Sequence, residues 1–433
     1  MTTSRRASTA LLTDRYELTM LDAALHDGTA ARPSVFEVFA RRLPEGRRYG
    51  VVSGVDRVVD ALEHFRFDDD VLRWLEAEEV VSASTLRWLA DFRFRGDVHA
   101  YREGEVHVDG SPVMTVVAMF GEALLIETLL LSVLNHDSAV ASAAARMVSA
   151  ARGRRLLEFG SRRTHEEAAV AAARAAYVAG FDATSNLEAG RRYGIPTSGT
   201  TGHAFILVHD DERSAFAAQL AATGPATTLL VDTYDTEAGI TTALEVAGAT
   251  LGAVRIDSGD LPRMARRARR MLDEAGATSR IVVSGDLDEY AIERLADAPV
   301  DAYGVGTSLV TGSGAPTAGF VYKLVARAST PGGELEPVAK GGGAKATVGS
   351  WKVASRELDG GTAVRELLRP AGSPRPADSR ALQVPVITQG ERVATADLVA
   401  AREHHRLAVA ELPRGAHDLA AGGPCLPTVH LDA

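Results

Sequence analysis

The sequence predicts an α/β protein built on a parallel sheet curling toward a barrel, and three observations carry that expectation. Between residues 156 and 307, seven short apolar runs alternate with amphipathic helical stretches, the order that a parallel sheet with crossover helices requires. Each run ends in a cluster of Gly, Ser, Thr, Asp or Arg. One such cluster is ordinary turn punctuation. Recurrence at the carboxyl ends of successive strands matches instead the face on which barrel active sites are built.

The elements follow in chain order. Val35–Ala40 (VFEVFA) alternates and reads as a strand. The loop Arg41–Gly50 sets four arginines around a Pro-Glu-Gly turn. Helical stretches are expected near Asp56–His64 and Val71–Asp91, then short strands at Gly96–Tyr101 and Glu105–Val108. A long Leu- and Ala-rich helical region occupies about Glu122–Gly153, in keeping with a buried connecting helix. The barrel runs are LLEF (156–159), YVAGFDA (177–183), IPTSGT (195–200), TLLVDTY (228–234), LGAVRIDS (251–258), IVVSGD (281–286) and DAYGVGT (301–307). From about Thr330, Gly- and Pro-rich turns separate short strands, as in a smaller β-containing region packing with the N-terminal one. The expected division is therefore 1–153, an N-terminal domain with its connecting helix; 154–329, the barrel; and 330–433, the C-terminal region.

Composition narrows the function. The chain has 433 residues, enough for two or three domains or one large α/β unit. Lys and Arg number 47 against 57 Asp and Glu, a net charge of −10. An acidic chain is a poor nucleic-acid ligand unless its basic residues cluster. Cys425 is the only cysteine, so no intrachain disulfide can form, which suits a reducing cytoplasm. Met1–Arg15 has no signal-peptide core. The most apolar stretch, Met114–Leu134, is interrupted by Gly121, Glu122 and Glu127. It reads as a buried helix and not as a membrane span, which needs about 20 apolar residues.

The polar clusters suit a phosphorylated ligand. SGDLD (284–288) and YGVGTS (303–308) are glycine-rich turns opening helices, where backbone N–H groups and the helix N-terminus favour an anion. Arg162, Arg163 and Arg255 can add bidentate contacts to phosphate or carboxylate. Asp232, Asp235, Asp257 and Asp286 can hold Mg²⁺ or stabilise a developing cation, with helix capping as the alternative; for Asp260 and Asp288 capping is the expectation. His203 follows Gly-Thr-Thr-Gly on the expected active face, so a catalytic role stands beside that of a core histidine. No spacing of His or Cys suggests zinc. Tyr16 has helical spacing from Leu12 and Met20, as a core aromatic would.

Taken together these residues resemble the nicotinate phosphoribosyltransferase family. The matching stretches are TDRYELTM, FEVFARRLPEGRRYG, LEFGSRR, GFDATSN, GIPTSGTTGHAF, LLVDTYDT, VRIDSGDL and YGVGTS, in family order over about residues 11–325. The resemblance implies an irregular, incomplete α/β barrel of about seven parallel strands beside a smaller split α/β domain from the N- and C-terminal regions. It implies a homodimer with shared active sites. The reaction it implies joins nicotinate to phosphoribosyl pyrophosphate, with Mg²⁺ and with coupled ATP hydrolysis through a phosphohistidine, in NAD salvage. By motif position the phosphohistidine is His203, with Asp257 and Asp232 as catalytic carboxylates. Phe159 and, from the neighbouring subunit, Tyr16 would sandwich the pyridine ring. Arg162, Thr200 and Arg255 would bind substrate, and Ser284, Gly285, Asp286, Gly304, Gly306 and Thr307 would cradle phosphate.

The sequence departs from the family pattern at three places. Ser161 stands where a bulkier residue is expected, Gly202 where alanine is expected, and the glycine-rich stretch around Gly341–Gly343, with Lys340 and Lys345, stands where a Lys-Ser-rich loop is expected, so no role is assigned to those two lysines. The alternatives left open are a same-fold transferase for nicotinamide or another pyridine acid, and a non-catalytic nucleotide-binding regulator.

Overall fold

The computed structural model describes residues 8–341, 348–393 and 397–431. Gly342, Gly343 and Lys345 lie outside them. The chain divides into two compact units, Met1–Ala139 with Thr317–Ala433, and Val140–Pro316. The expected barrel stretch, 154–329, is therefore displaced at both ends. The 25-residue helix Glu127–Ala151 contains the first boundary. Its last turns belong with the barrel, where Arg146 Nε donates to Glu289 Oε1 at 2.9 Å. At the other end, strand Phe320–Ala328 pairs antiparallel with Pro33–Ala40, which draws it into the first unit.

The first unit is organised by an antiparallel sheet of seven strands. Their order is Leu335–Pro337, Phe320–Ala328, Pro33–Ala40, Met114–Met119, Asp97–Tyr101, Gln383–Thr388 and Glu391–Arg392. Three N-terminal strands lie between pairs of C-terminal ones, so neither end can complete this core alone. Phe36 stacks on Tyr322 with ring centroids 4.6 Å apart, an N-terminal aromatic against a C-terminal one. Met114–Met119 is a strand of this sheet, where the sequence predicts a buried helix; the β-branched run Thr115–Val116–Val117 favours the pleat. Helix follows only from Phe120–Leu125 onward. The stretch expected as one helix over 71–91 is two, Asp69–Ala77 and Ala83–Ala90, each capped by a side chain, Asp68 and Ser82. Leu398–Ala410 is a 13-residue helix that the turn-rich C-terminal composition hid.

A second sheet of this unit holds Ser379–Ala381, Lys352–Asp359, Thr362–Pro370 and Thr428–His430. Beneath it lies a charge network centred on the fully buried Arg356. Its guanidinium donates to Glu105 Oε1 at 2.8 Å, Glu366 Oε1 at 2.7 Å and the Val106 carbonyl at 2.7 Å. Burial alone would push Glu105 up, but Arg356, His404 and Arg380 hold it well below the usual carboxylate range.

In the second unit, six parallel strands run in the order Ala183–Thr184, Arg155–Glu158, Ala302–Val305, Arg280–Val283, Ala253–Ile256 and Thr228–Leu230. The last strand in sequence returns to pair with the first, the step that curls the sheet. Six of the seven expected runs thus form ladders. The run 195–200 contributes only the isolated bridge Thr184–Thr197, which leaves the barrel incomplete on that side. The helices between the strands fall as expected. Glu166–Val178 is nearly all alanine on its buried face, which lets it lie close to the sheet. Among the described residues no helix is long and apolar enough to cross a membrane.

Removing the Arg356 charge leaves Glu105 and Glu366 buried without their shared partner. Arg356→Met is expected to lower stability by about 3–5 kcal/mol. Urea melts of the variant against the parent check this; an unchanged midpoint would contradict it.

Candidate active site

The site is built at the carboxyl ends of the parallel strands, and Arg255 is its hub. Strand Ala253–Ile256 carries Arg255 outward at its third residue. Its Nε donates to Ser284 Oγ at 2.8 Å, one Nη to Thr200 Oγ1 at 2.9 Å and the other to Asp257 Oδ1 at 2.8 Å. A longer bond of 3.5 Å reaches the Thr201 carbonyl. An arginine has five N–H donors, so one remains to address a ligand. The guanidinium carbon lies 5.5 Å from the centre of the Phe159 ring, within cation–π range. A flat cationic fork and a flat aromatic ring thus share one small space.

The neighbouring carboxylates are hydrogen-bonded in place, and Asp257 is held ionised. Asp257 Oδ1 accepts from Ser284 Oγ at 2.5 Å. Burial pushes the Asp257 carboxyl up, but the Ser284 hydroxyl, Arg255 and His203 outweigh it and hold it below its ordinary value. Asp232 Oδ2 accepts from the Asp257 amide at 2.9 Å and from Ser258 Oγ at 2.7 Å, while its Oδ1 is buried with no hydrogen-bond partner. His203 opens the short helix His203–Leu207. Its side chain is 41% exposed, with Nδ1 in a 3.1 Å hydrogen bond to Thr233 Oγ1 and Nε2 3.8 Å from Asp257 Oδ2. That exposure sets aside the core-histidine reading.

Two glycines owe their identity to close approach. A Cβ on Gly304 would stand 2.6 Å from the Phe159 ring. Gly285 has φ +99°, and a Cβ there would lie 2.0 Å from the Asp257 carbonyl oxygen. Gly306 and Thr307 begin the four-residue helix Thr307–Val310, and Asp286 follows Gly285 with a positive φ of 46°. Asp235, Asp260 and Asp288 cap helices, accepting from Ala238, Arg263 and Ala291 amides. For Asp235 the capping alternative is the one the structure forms. Among the described residues no group of three His, Cys, Asp or Glu side chains could hold a metal ion.

The structure thus joins Phe159, Thr200, His203, Asp232, Arg255, Asp257 and Ser284 in one connected array, with Gly285 and Gly304 closing on it. Arg162 stands apart, exposed on the 3₁₀ turn Ser161–Arg163. Tyr16 lies in the other unit on helix Arg15–His26 and is 45% exposed. It is therefore no core aromatic; Leu12 and Met20 are exposed with it. A Cβ on Gly202 would meet nothing within 4 Å, so an alanine would fit there and sterics do not explain the glycine. Sequence reasoning missed Thr233, which orients His203, and Gln219, whose Oε1 accepts from Thr201 Oγ1 at 3.0 Å and steadies the loop before His203. Thr233 lies inside the LLVDTYDT run; Gln219, on a helix, gives no local signal.

An incomplete parallel barrel whose strand ends gather an arginine fork, an aromatic face, two carboxylates and glycine turns has the architecture of a phosphoribosyltransferase-type α/β barrel. Comparison with known proteins sharpens the class. Residues 11–135 match the family model of the nicotinate phosphoribosyltransferase N-terminal domain, and residues 140–313 that of the quinolinate phosphoribosyl transferase C-terminal domain. Nicotinate phosphoribosyltransferase pncB1 of Mycobacterium tuberculosis is 55% identical over 98% of this chain and 95% of its own length. The pncB2 enzyme of the same organism is 41% identical over 98% and 92%. The crystal structure of human nicotinic acid phosphoribosyltransferase superposes with a TM-score of 0.84 at 25% identity, covering 96% of this chain and 97% of that one. The chain belongs to the nicotinate phosphoribosyltransferase family.

Glu212 offers a pH test of this site. It begins helix Glu212–Thr223 and its Oε1 is buried without a partner. Burial, then the charges of Asp232 and Asp235, push its carboxyl up to about 7 from an ordinary 4.5. The folded state therefore holds a proton that the unfolded chain releases earlier. That contribution is full below the unfolded value and is lost as pH rises from about 4.5 to about 7. Glu212→Gln is expected to match the parent in melting temperature at pH 4.5 and to exceed it increasingly up to pH 7. A constant difference across that range would contradict the shift.

Proposed function

We propose that this protein is a nicotinate phosphoribosyltransferase, joining nicotinate to phosphoribosyl pyrophosphate to give nicotinate mononucleotide and pyrophosphate. The observation that carries the reading is the Arg255 fork facing the Phe159 ring, with Ser284 and Asp257 fixing its direction. Such a pair suits an aromatic carboxylate, which takes the ring face and the fork together. The pyridine nitrogen forms its bond to the ribose C1 as the bond from C1 to pyrophosphate breaks. Positive charge develops on the ribose ring during that exchange, and the Asp257 and Asp232 carboxylates favour it. The turns Ser284–Gly285–Asp286 and Gly304–Gly306–Thr307 serve the phosphate groups through backbone N–H donors.

The described residues suit a Mg²⁺ ion that arrives on the pyrophosphate, since such an ion takes one or two carboxylates and keeps its phosphate oxygens. It would neutralise the leaving charge; the ligands from this chain stay unassigned. ATP coupling rests on His203. With Nδ1 engaged by Thr233, Nε2 is the nitrogen available to take a phosphoryl group as ADP leaves, and water later returns it as phosphate. Arg162 is the further candidate for the substrate anion, its side chain exposed on the solvent-facing turn. The exposed Leu12, Tyr16 and Met20 stripe suits a subunit interface in a homodimer, in which Tyr16 would serve the partner's ring site. The net charge of −10 and single cysteine fit a cytoplasmic enzyme without nucleic-acid partners.

Two measurements test the reading. A charge-assisted hydrogen bond contributes about 1.5–3 kcal/mol, so nicotinate should exceed nicotinamide in kcat/KM by about 10–150-fold. Equal rates would remove the carboxylate assignment, and a panel of other pyridine acids reads the alternatives directly. His203→Ala should abolish ATP hydrolysis while slow, ATP-independent mononucleotide formation survives. ATP turnover at the parental rate in this variant would end the phosphohistidine role.

A further inference from the structure

Glu158 is a buried carboxylate directly beneath the ring site, and the proposed chemistry makes no use of it. It ends strand Arg155–Glu158 and is 1% exposed. Its Oε1 accepts the Gly160 amide and its Oε2 accepts the Thr184 hydroxyl at 2.5 Å. Burial pushes its carboxyl up, only partly offset by these two donors. A carboxyl kept in such a place without a cation is costly unless it holds something in position. Thr184 Oγ1 in turn accepts the Asn186 amide at 2.9 Å, and Asn186 Nδ2 donates to Ser161 Oγ at 3.0 Å. The chain Glu158–Thr184–Asn186–Ser161 therefore fastens the turn 159–163 to the end of the adjacent parallel strand at two points, one on each side of Gly160.

That turn carries Phe159 and Arg162. The Phe159 amide is fixed to the Val305 carbonyl at 2.8 Å, and its ring is fixed by Gly304. Beyond Phe159, the hydrogen bonds of this turn among the described residues are those of the Glu158 network and the Gly160–Arg163 backbone bond. Ser161, where the family pattern leads one to expect a bulkier side chain, is here the hydrogen-bond acceptor that closes the network.

We infer that Glu158, Thr184 and Ser161 are positioning residues that set the pyridine-base wall of the site, acting through the turn 159–163 on Phe159 and Arg162. This rests on the reading of that wall as a ring site. The turn 159–163 abuts the phosphate turn at Gly304 and Gly306, but the hydrogen-bonded ties of the network all end on the base wall, so the larger effect is expected on the base.

The test uses Thr184→Val, Ser161→Ala and Glu158→Gln in the full chain. Thr184→Val keeps shape but strips a donor from Glu158. Ser161→Ala cuts the second tie on a surface turn, where folding is not at risk. Both should raise KM for nicotinate about 10-fold while KM for phosphoribosyl pyrophosphate stays near parental; the melting temperature should stay near parental in Ser161→Ala and fall modestly in Thr184→Val, whose buried Glu158 loses a donor. Glu158→Gln still accepts from Gly160 and should stay within about threefold of the parent, a conservative rescue. Hydrogen exchange gives a readout independent of turnover: amides of the peptide 159–164 should exchange about 10-fold faster in Thr184→Val. Unchanged base KM and unchanged exchange would overturn the inference, as would a parallel rise in both KM values with a falling melting temperature. Absence of nicotinate turnover in the parent would instead strike the proposed function, and the exchange experiment alone would then decide the network.

Discussion

The orientation of the Arg255 guanidinium is the constraint on which the site depends. Two strand ends converge on it, through Ser284 and, on its own strand, Asp257, and the loop before His203 is tied to it at Thr200. Its charge helps keep Asp257 ionised, and Asp257 in turn faces His203. Loss of this one cation would therefore loosen the loop, raise the carboxyl and unseat the face of Phe159 together. An arginine suits the post because its planar fork can satisfy several fixed acceptors and still present a donor; a lysine, with one point of charge, cannot.

Parallel pairing makes that convergence possible. All six strands of the second unit point the same way, so every strand end delivers its polar cluster to the same face. The first unit solves a different problem. Its antiparallel sheet flanks three N-terminal strands with C-terminal ones, and buried Glu105 and Glu366 share the Arg356 guanidinium. In the site, Asp232 Oδ1 and Glu212 Oε1 are buried without partners.

Much of this was legible in the chain itself. The alternation of apolar runs with helical stretches specifies the parallel sheet because each run is buried on both faces and each crossover needs a helix. The polar clusters named Phe159, His203, Arg255, Asp257 and Ser284 because strand ends are where such residues are exposed to a ligand. The helix caps Asp260 and Asp288 followed from local chemistry alone. Local pattern failed where the partner was distant. Met114–Met119 reads apolar in either period, and only its neighbours Pro33–Ala40 and Asp97–Tyr101 make it a strand.

The sequence by itself determined which residues gather at the strand ends and which way the barrel strands run, since period, turn residues and motif order are properties of neighbouring positions. Tertiary structure decided what no window of sequence contains. It moved Phe320–Ala328 out of the barrel, because its hydrogen-bond partner is nearly three hundred residues away at Pro33–Ala40. It reduced the run 195–200 to one bridge, because sheet pairing there ends at Thr184. It left Tyr16 exposed, and it gave Glu158, Thr233 and Gln219 their work, because a hydrogen bond depends on distance in space and not on distance along the chain.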